Sequence, residues 1–202
     1  MRAPRVIGPL SAGRVGRRSQ VGPRMKRFIV VSGLPASGKS TLAAAVAAQL
    51  KLPLLDKDAI LESLFETLGA GDSSWRTRLS RSADGIMQQL ATQSQGAVLA
   101  SWWRHRLSTA MSGTSPDWLL SLGGELVELH CKCDPHTAAR RFFSRRRHPG
   151  HLDNLKSETE ELARFKQSHD HGALGIGRVV EVDTERPPDI HRILLQLSAP
   201  GG

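Results

Sequence analysis

Short apolar runs alternate with stretches of helical periodicity along most of the chain. Residues 27 to 32 read Arg-Phe-Ile-Val-Val-Ser, which is typical of a strand buried on both faces. The Ala-rich stretch from Lys39 to Leu50 carries apolar residues at helical spacing, and residues 52 to 55 form a second short apolar run. This order predicts a strand, a helix and a second, parallel strand.

The same alternation continues to the C terminus and sets the expected fold. Apolar periodicity predicts two helices before a third strand. The pattern after the third strand predicts four more helices and two more strands. In chain order, the elements predicted after residue 55 are helices at 60–68 and 79–90, a strand at 97–101, a helix at 116–122, a strand at 125–131, helices at 135 to about 147 and at 157–167, a strand at 178–182 and a helix at 190–197. We therefore expect an α/β fold of three layers, in which a parallel sheet of about five strands carries helices on both faces.

The first 24 residues differ in composition from the rest of the chain. They hold six arginines among Gly, Pro and Ser, and no acidic residue occurs before Asp56. Such a segment cannot bury enough apolar surface to fold. We expect residues 1–24 to be a disordered leader or a mis-assigned start, with Met25 as an alternative start and a transit peptide as a further interpretation. The folded domain is predicted to span residues 25–202.

Net charge and cysteine content narrow the class of protein. The formal charge is +9, of which the six leader arginines supply +6, so the folded part carries only +3. This near balance argues against a nucleic-acid partner. No run of about 18 apolar residues is present, so no membrane partner is expected. Cys131 and Cys133 are too few for a disulfide scaffold, and a reducing, cytoplasmic location is expected.

A phosphate-binding loop is the strongest chemical signal in the chain. Residues 33 to 40 match G-x-x-x-x-G-K-[ST] between a predicted strand and a predicted helix. The glycines let backbone N–H groups turn toward phosphates, Lys39 reaches the β and γ phosphate oxygens, and Ser40 holds Mg²⁺. The nucleotide-binding residues predicted from this segment are Gly33, Leu34, Pro35, Ala36, Ser37, Gly38, Lys39, Ser40 and Thr41.

Two carboxylates follow the second predicted strand. Asp56 and Asp58 stand at its carboxyl end, the edge where ligands of open α/β sheets bind. Phosphoryl transfer needs a carboxylate to take the proton of the acceptor hydroxyl, and a second acidic group can hold metal-bound water. The alternative is that Asp58 caps the helix at 59–68 and that Asp56 is a solvated strand end.

The loop sequence and the Asp-x-Asp pair together resemble a known family. Residues 33 to 42, followed after a helix by Leu-Leu-Asp-Lys-Asp, are similar to small P-loop metabolite kinases such as gluconate, shikimate and adenylylsulfate kinases and chloramphenicol phosphotransferase. The resemblance implies the three-layer P-loop kinase fold, ATP and Mg²⁺ as cofactors, Asp58 as the acceptor-activating carboxylate, and Asp56 beside Ser40 at the metal. One departure is that the third strand ends in Ser101, where many relatives have an aspartate.

Five arginines crowd the end of one predicted helix just before a Pro-Gly break: Arg140, Arg141, Arg145, Arg146 and Arg147. Cations favour that end of a helix, so a solvated face is one interpretation. Arg141 and Arg145 are four residues apart on one predicted helix face, and they resemble the Arg-x-x-x-Arg of the kinase lid, which closes over ATP phosphates. We expect a lid near residues 140–153, with Arg145 as a catalytic residue and both arginines as ATP contacts.

Aromatic and basic side chains suggest where an acceptor lies. Trp75, Arg78, Trp103 and Arg104 are the predicted substrate-binding residues in addition to Asp58, because flat faces and guanidinium forks suit a planar or anionic molecule. Core packing is the alternative for the tryptophans. Asp183 and Thr184 follow the last strand and resemble the adenine-flanking segment of chloramphenicol phosphotransferase, with loop capping as the alternative for Asp183.

These observations predict an ATP-dependent phosphotransferase that moves the γ-phosphoryl group to a hydroxyl of a small molecule. We expect a monomer or a homodimer. One alternative is a kinase of 5′-hydroxyl ends of polynucleotides. Another is a nucleotide-binding switch with little phosphoryl transfer, which the missing aspartate on the third strand favours.

Overall fold

A computed structural model describes residues 25–199, and the predicted leader lies outside them. Five parallel strands form one sheet in the order β2-β3-β1-β4-β5. The strands are β1 (Arg27–Gly33), β2 (Leu54–Asp56), β3 (Gly96–Ala100), β4 (Glu125–Lys132) and β5 (Arg178–Asp183). The α-helices are α1 (Lys39–Leu50), α2 (Lys57–Leu68), α3 (Ser73–Gln93), α4 (Pro135–Ser144), α5 (Glu158–His171) and α6 (Ile190–Ser198).

Helices cover both faces of the sheet because the central strand is apolar on both sides. In β1, Ile29 and Val31 pack with the buried residues of α1 and α6, whereas Phe28 and Val30 pack with those of α3. β1 lies at the centre of the sheet and helices lie on both faces, which confirms the predicted three-layer α/β fold. The carboxyl ends of β1, β2 and β3 lie side by side, which places the loop after β1 and the two aspartates at one edge.

The bounds of several predicted helices differ from the structure, and α3 begins at Ser73, six residues before its predicted start. Residues 117–122 form a 3₁₀ helix, and α4 ends at Ser144 instead of continuing to about Arg147. Arg145 already has extended backbone angles, and the contacts of Arg147 with Asp58 and of His148 with Phe65 hold the following residues against α2. Arg141 and Arg145 therefore do not share a helix face, and that part of the lid prediction is wrong.

The segment after α4 is docked on α2. Its two short 3₁₀ turns, Pro149–His151 and Asp153–Leu155, follow one another along the chain. His148 stacks on the ring of Phe65 in α2 with centroids 5.2 Å apart, and His151 meets the same ring edge-on at 5.4 Å. His151 also bonds Glu62 of α2 at 2.8 Å. These contacts fix the position of the arginines that precede them.

Both cysteines are free thiols in the interior. Cys131 lies in β4 among the apolar residues beneath α1, and burial raises the pKa of its thiol to about 12. Within residues 25–199, no helix combines the length and apolar character needed to cross a bilayer.

Candidate active site

The loop between β1 and α1 has the backbone of a phosphate cradle. Gly33 and Gly38 have φ values of +130° and +96°, which side chains rarely tolerate. A Cβ at Gly33 would lie 2.7 Å from the carbonyl oxygen of Cys131, so only glycine fits there. At the N terminus of α1 no side chain caps the free N–H groups, whereas each of the other five α-helices in residues 25–199 is capped by Asp or Ser. The uncapped end suits an anion.

Lys39 is held inside this loop. Its ammonium donates to the carbonyl oxygen of Leu34 at 2.5 Å, and burial lowers its pKa to about 8. The carboxylates of Asp58 and Asp56 act against this shift, and the guanidinium of Arg145 adds to it. Lys39, Asp58 and Arg145 therefore lie close enough for their charges to act on one another.

The residue that caps α2 is Asp56, whereas the capping alternative had assigned that role to Asp58. Asp56 is the cap of α2, because its Oδ1 accepts from the backbone N–H of Asp58 at 2.9 Å and the helix begins at Lys57. Asp58 lies in the first turn with a side chain that is 52% exposed. Its Oδ2 accepts from Nη2 of Arg147 at 2.5 Å. Partial burial raises the pKa of Asp58, but Arg147, His151, Lys39 and Arg145 outweigh it and hold that pKa below its usual range.

A third carboxylate, which the sequence analysis missed, reaches the end of β3 from a helix. Asp84 of α3 pairs with the ammonium of Lys57 at 2.8 Å and accepts from Oγ1 of Thr114 at 2.8 Å. Thr114 in turn bonds the hydroxyl of Ser101 at 2.6 Å. The end of β3 carries no aspartate of its own, and Asp84 of α3 is linked to it through Thr114 and Ser101. The sequence feature that could have indicated Asp84 is its place directly beside the apolar stripe of Leu79, Ala83 and Met87.

The two lid arginines have different partners. Arg141 donates to the carbonyl oxygens of Thr184 and Glu185, at 3.0 and 2.9 Å, and so holds the loop after β5. Thr184 lies beside the phosphate loop, 3.7 Å from where a Cβ of Gly38 would be. The guanidinium of Arg145 lies over the ring of Phe142 at 5.0 Å and has no hydrogen-bond partner within residues 25–199. Both arginines face the same cleft.

That cleft has a volume of about 800 Å³, at the upper end of the range for small-molecule sites. The phosphate loop, the start of α2, one face of α3 and the segment after α4 line it. Cations outnumber carboxylates among its lining residues: the cations are Lys39, Lys57, Arg76, Arg81, Arg141, Arg145, Arg147, Lys156 and Arg164, and the carboxylates are Asp56, Asp58 and Asp84. This excess of positive charge suits anionic ligands.

Four of the predicted substrate residues do not line this cleft. Trp75 donates from its indole N–H to the carbonyl of Gly69, and Arg78 lies over its ring at 4.9 Å. Trp103 is only 4% exposed, and its indole N–H donates to the carbonyl oxygen of Val31. It therefore packs in the core, as the alternative prediction stated. Arg104 lines a separate cleft of about 250 Å³ beside α5.

Asp183 caps a loop, which was the alternative prediction for this residue. Its carboxylate accepts from the backbone N–H of Glu185 at 2.9 Å, so it caps the turn that Arg141 holds.

The two residues predicted to hold a magnesium ion carry oxygen atoms of the kind that Mg²⁺ binds. The hydroxyl of Ser40 and the carboxylate of Asp56 both line the cleft, and Mg²⁺ binds such ligands while keeping several waters. Residues 25–199 contain no group of three or more His, Cys, Asp or Glu side chains that could hold a metal ion.

The strand order, the glycine-rich loop before α1 and the cationic cleft at the carboxyl edge of the sheet define a P-loop kinase fold. The family model of the AAA domain matches residues 28–171. The chain belongs to the AAA domain family, and the predicted resemblance to the small P-loop kinases is confirmed.

Solved structures agree with this assignment. A protein from Chloroflexus aurantiacus described as a candidate kinase is 28% identical, with a TM-score of 0.69 over 86% of this chain and 97% of that chain. Shikimate kinase from Bacteroides thetaiotaomicron is 17% identical, with a TM-score of 0.52 over 87% and 100%. Deoxyadenosine kinase from M. mycoides, solved with dATP bound, is 16% identical, with a TM-score of 0.53 over 85% and 99%. The last two share the fold alone. No curated protein matches the chain.

Proposed function

We propose that the protein transfers the γ-phosphoryl group of ATP to a hydroxyl of a small molecule. The observation that carries this proposal is the position of Asp58. It shares one cleft with Lys39 of the phosphate loop, and it is free of the capping role, which Asp56 performs. A carboxylate in that position is what an acceptor hydroxyl needs beside a bound γ-phosphate.

Each charged group has a distinct task in the proposed reaction. The backbone N–H groups at the start of α1 and the ammonium of Lys39 bind the β and γ phosphates. Asp58 orients the acceptor hydroxyl and takes its proton as the new O–P bond forms and the bond to the leaving ADP oxygen breaks. Arg145, which has no carboxylate partner in the described part of the chain, stabilises the charge that develops on the transferred group.

Ser40 and Asp56 are the residues that would hold a magnesium ion in this cleft. When bound, the ion would neutralise charge on the β and γ phosphate oxygens. Arg141 holds Thr184 against the phosphate loop, which supports the interpretation that the loop after β5 flanks the base of the nucleotide.

A screen for acceptor-dependent ADP release tests the proposal. Hydroxylated metabolites, aminoglycoside and phenicol antibiotics, and oligonucleotides with free 5′-hydroxyls are each incubated with the protein, ATP and Mg²⁺. The proposal predicts that a small molecule raises ADP release above the ATP-only background, and that Lys39→Ala abolishes the increase. Stimulation by oligonucleotides alone would favour a polynucleotide kinase, and tight ATP binding without any stimulated release would favour a nucleotide-binding switch.

A further inference from the structure

The segment between α4 and α5 lies against α2 and carries the cationic partner of Asp58. We call residues 145–156 the lid segment. Near its start, Nη2 of Arg147 donates to Oδ2 of Asp58. Further along, the rings of His148 and His151 contact Phe65 of α2. The position of the lid segment on α2 therefore determines whether Asp58 keeps this partner.

His151 makes the contact with α2 that a proton can change. Its side chain is only 1% exposed, and its Nε2 lies 2.8 Å from Oε1 of Glu62. A carboxylate can only accept, so Nε2 carries the ring proton. Nδ1 is buried and has no hydrogen-bond partner within residues 25–199. A neutral ring leaves a lone pair at Nδ1, whereas a charged ring would place an N–H donor there without an acceptor, which is costly in a buried position.

Charged and titratable groups surround this ring on three elements. They are Asp58 and Glu62 of α2, Arg76 of α3, and Arg147 and His148 of the lid segment. Burial is the largest influence on the ring, and together with the guanidinium of Arg147 it outweighs the two carboxylates. The pKa of His151 is therefore lowered from its usual value of 6.5.

His148 makes a different kind of contact. Its Nδ1 accepts from the backbone N–H of Gly150 at 3.1 Å, a hydrogen bond that lies within the lid segment and does not itself tie the segment to α2. Its Nε2 lies 3.3 Å from Oε1 of Glu66, whose side chain is 74% exposed, and such an exposed pair contributes little. The hydrogen bond from a buried lid side chain to α2 is therefore the one that His151 makes.

Docking of the lid segment and proton uptake by His151 oppose each other. When the segment leaves α2, the ring enters water, where its usual pKa of 6.5 applies. Because the pKa is lower in the docked state, the docking free energy that this ring contributes is fully present above pH 6.5 and is lost as the pH falls below it. One proton lowers the docking equilibrium constant by up to about tenfold per pH unit in that range.

We infer that His151 is a positioning residue that works only in its neutral form: it docks the lid segment on α2, keeps Arg147 on Asp58, and releases both when it takes up a proton. His151 does not line the cleft, so it acts on the site through Arg147. The part of this inference that concerns turnover rests on the proposed function, whereas the docking itself does not.

Hydrogen exchange measured by mass spectrometry tests the docking in the unliganded protein. The backbone N–H groups of His151 and Leu152 are hydrogen-bonded within the lid segment, and their exchange rates divided by the intrinsic rate at each pH give an opening constant. We expect this constant to rise about tenfold between pH 7.5 and pH 5.5. A constant that is unchanged or falls toward pH 5.5 would overturn the inference, because a ring that docks as a cation binds Glu62 more strongly in acid.

Two variants and a matched control assign the rise to His151. His151→Gln keeps a neutral N–H donor for Glu62 but cannot titrate, so it should lose the rise, whatever its opening constant at pH 7.5. Glu62→Gln should keep the rise, because its amide oxygen still accepts from Nε2 of a neutral ring. His191→Gln removes an exposed histidine of α6 and should behave as the wild type does.

The opposite result in either variant would overturn the inference. A rise of wild-type size in His151→Gln would assign the proton to another group. Loss of the rise in Glu62→Gln would show that the ring docks as a cation that needs its carboxylate. The comparison of the wild type with Glu62→Gln needs no stable variant at position 151.

Turnover separates this inference from the proposed function. For an acceptor that the protein phosphorylates, the ratio of turnover at pH 7.5 to turnover at pH 5.5 should be larger in the wild type than in His151→Gln, by up to about tenfold. Equal ratios would overturn the link from His151 to Asp58. A protein that opens in acid as expected, yet transfers phosphate to no acceptor, would refute the proposed function and support the docking role of His151.

Discussion

Nη2 of Arg147 donates to Oδ2 of Asp58 at 2.5 Å, which joins the segment after α4 to the first turn of α2. The same guanidinium bonds Asp153 at 3.2 Å through Nη1. The proposed acceptor-activating carboxylate is therefore positioned by a residue 89 positions away in the chain. Its ionisation depends on this contact, since Arg147 is the largest of the charges that lower the pKa of Asp58.

Asp58→Asn should separate chemistry from folding. Asparagine keeps the size of the side chain but cannot take a proton, so acceptor-dependent turnover should fall by about 10²-fold or more. In the pair with Arg147 the Asp58 side chain is half exposed, and loss of the pair should lower Tm by less than about 4 °C. Coupled ADP release and thermal melting measure the two effects. Turnover at the wild-type rate with an unchanged Tm would remove Asp58 from the reaction.

Asp56→Asn is the matched variant on the same segment. Asparagine caps a helix about as well as aspartate, so Tm should change little. If Asp56 holds the metal with Ser40, the Mg²⁺ concentration for half-maximal turnover should rise while the maximal rate at saturating Mg²⁺ is largely retained. A titration of Mg²⁺ at fixed ATP measures this. An unchanged Mg²⁺ requirement would contradict the metal assignment.

Nucleotide affinity should depend on pH through Lys39. Its pKa of about 8 lies below the usual value of 10.5, so the free protein loses this charge as the pH rises above about 8. Phosphates favour the charged ammonium, and binding above that pH must take up a proton. We expect affinity for a non-hydrolysable ATP analogue to fall between pH 7.5 and 9.5. Calorimetry in buffers of different ionisation enthalpy should detect the proton uptake. Lys39→Arg keeps its charge and should lose this pH dependence.

Arg145→Ala should lower turnover more than it lowers affinity for ATP. Its guanidinium has no carboxylate partner in the described residues, and we expect its main contact to form with charge that develops during transfer. The measurement compares kcat with the Kd of the non-hydrolysable analogue. An equal loss in both quantities would make Arg145 a uniform phosphate contact instead.

Gly150→Ala tests the docking of the lid segment on α2. A Cβ at this position would lie 2.6 Å from a ring carbon of the buried Phe65, so the segment must shift. We expect a loss of about 1–3 kcal/mol in the free energy of unfolding. Gly85→Ala in α3 is the control, because its Cβ meets nothing within 4 Å and the substitution should stabilise the helix by about 0.5–1 kcal/mol. Denaturant unfolding measures both variants. Equal free energies of unfolding for the two variants would show that Gly150 is not tightly packed against Phe65.

Elements that depend on short stretches of the chain were predicted correctly from the sequence. The buried run of β1, the Ala-rich α1 and the spacing of the loop between them are encoded within about 25 consecutive residues, and all were located correctly. The end of α4 was not, because the contact of Arg147 with Asp58 acts from outside the helical pattern.

The side chains of the cleft depend on how distant elements pack. Asp84, Arg76 and Arg164 look like ordinary polar positions on exposed helix faces, and only the packing of α3 and α5 around the cleft gives them a shared location. The tryptophans were chosen for their flat faces and for their places just past the third strand and beside a Gly-rich loop. Trp103 lies in the core because its indole N–H reaches a backbone carbonyl of β1, which sequence spacing does not indicate.

The open N terminus of α1 has a consequence for how polyphosphates reach the protein. Carboxylates of Asp56, Asp72, Asp134 and Asp189 occupy four of the other helix ends, and at the fifth the hydroxyl of Ser157 is followed by three glutamates. An approaching polyanion is therefore repelled at those five ends and attracted at one. Within residues 25–199, the side chains that stabilise the other α-helices thus leave the end of α1 as the one α-helix N terminus open to a polyanion.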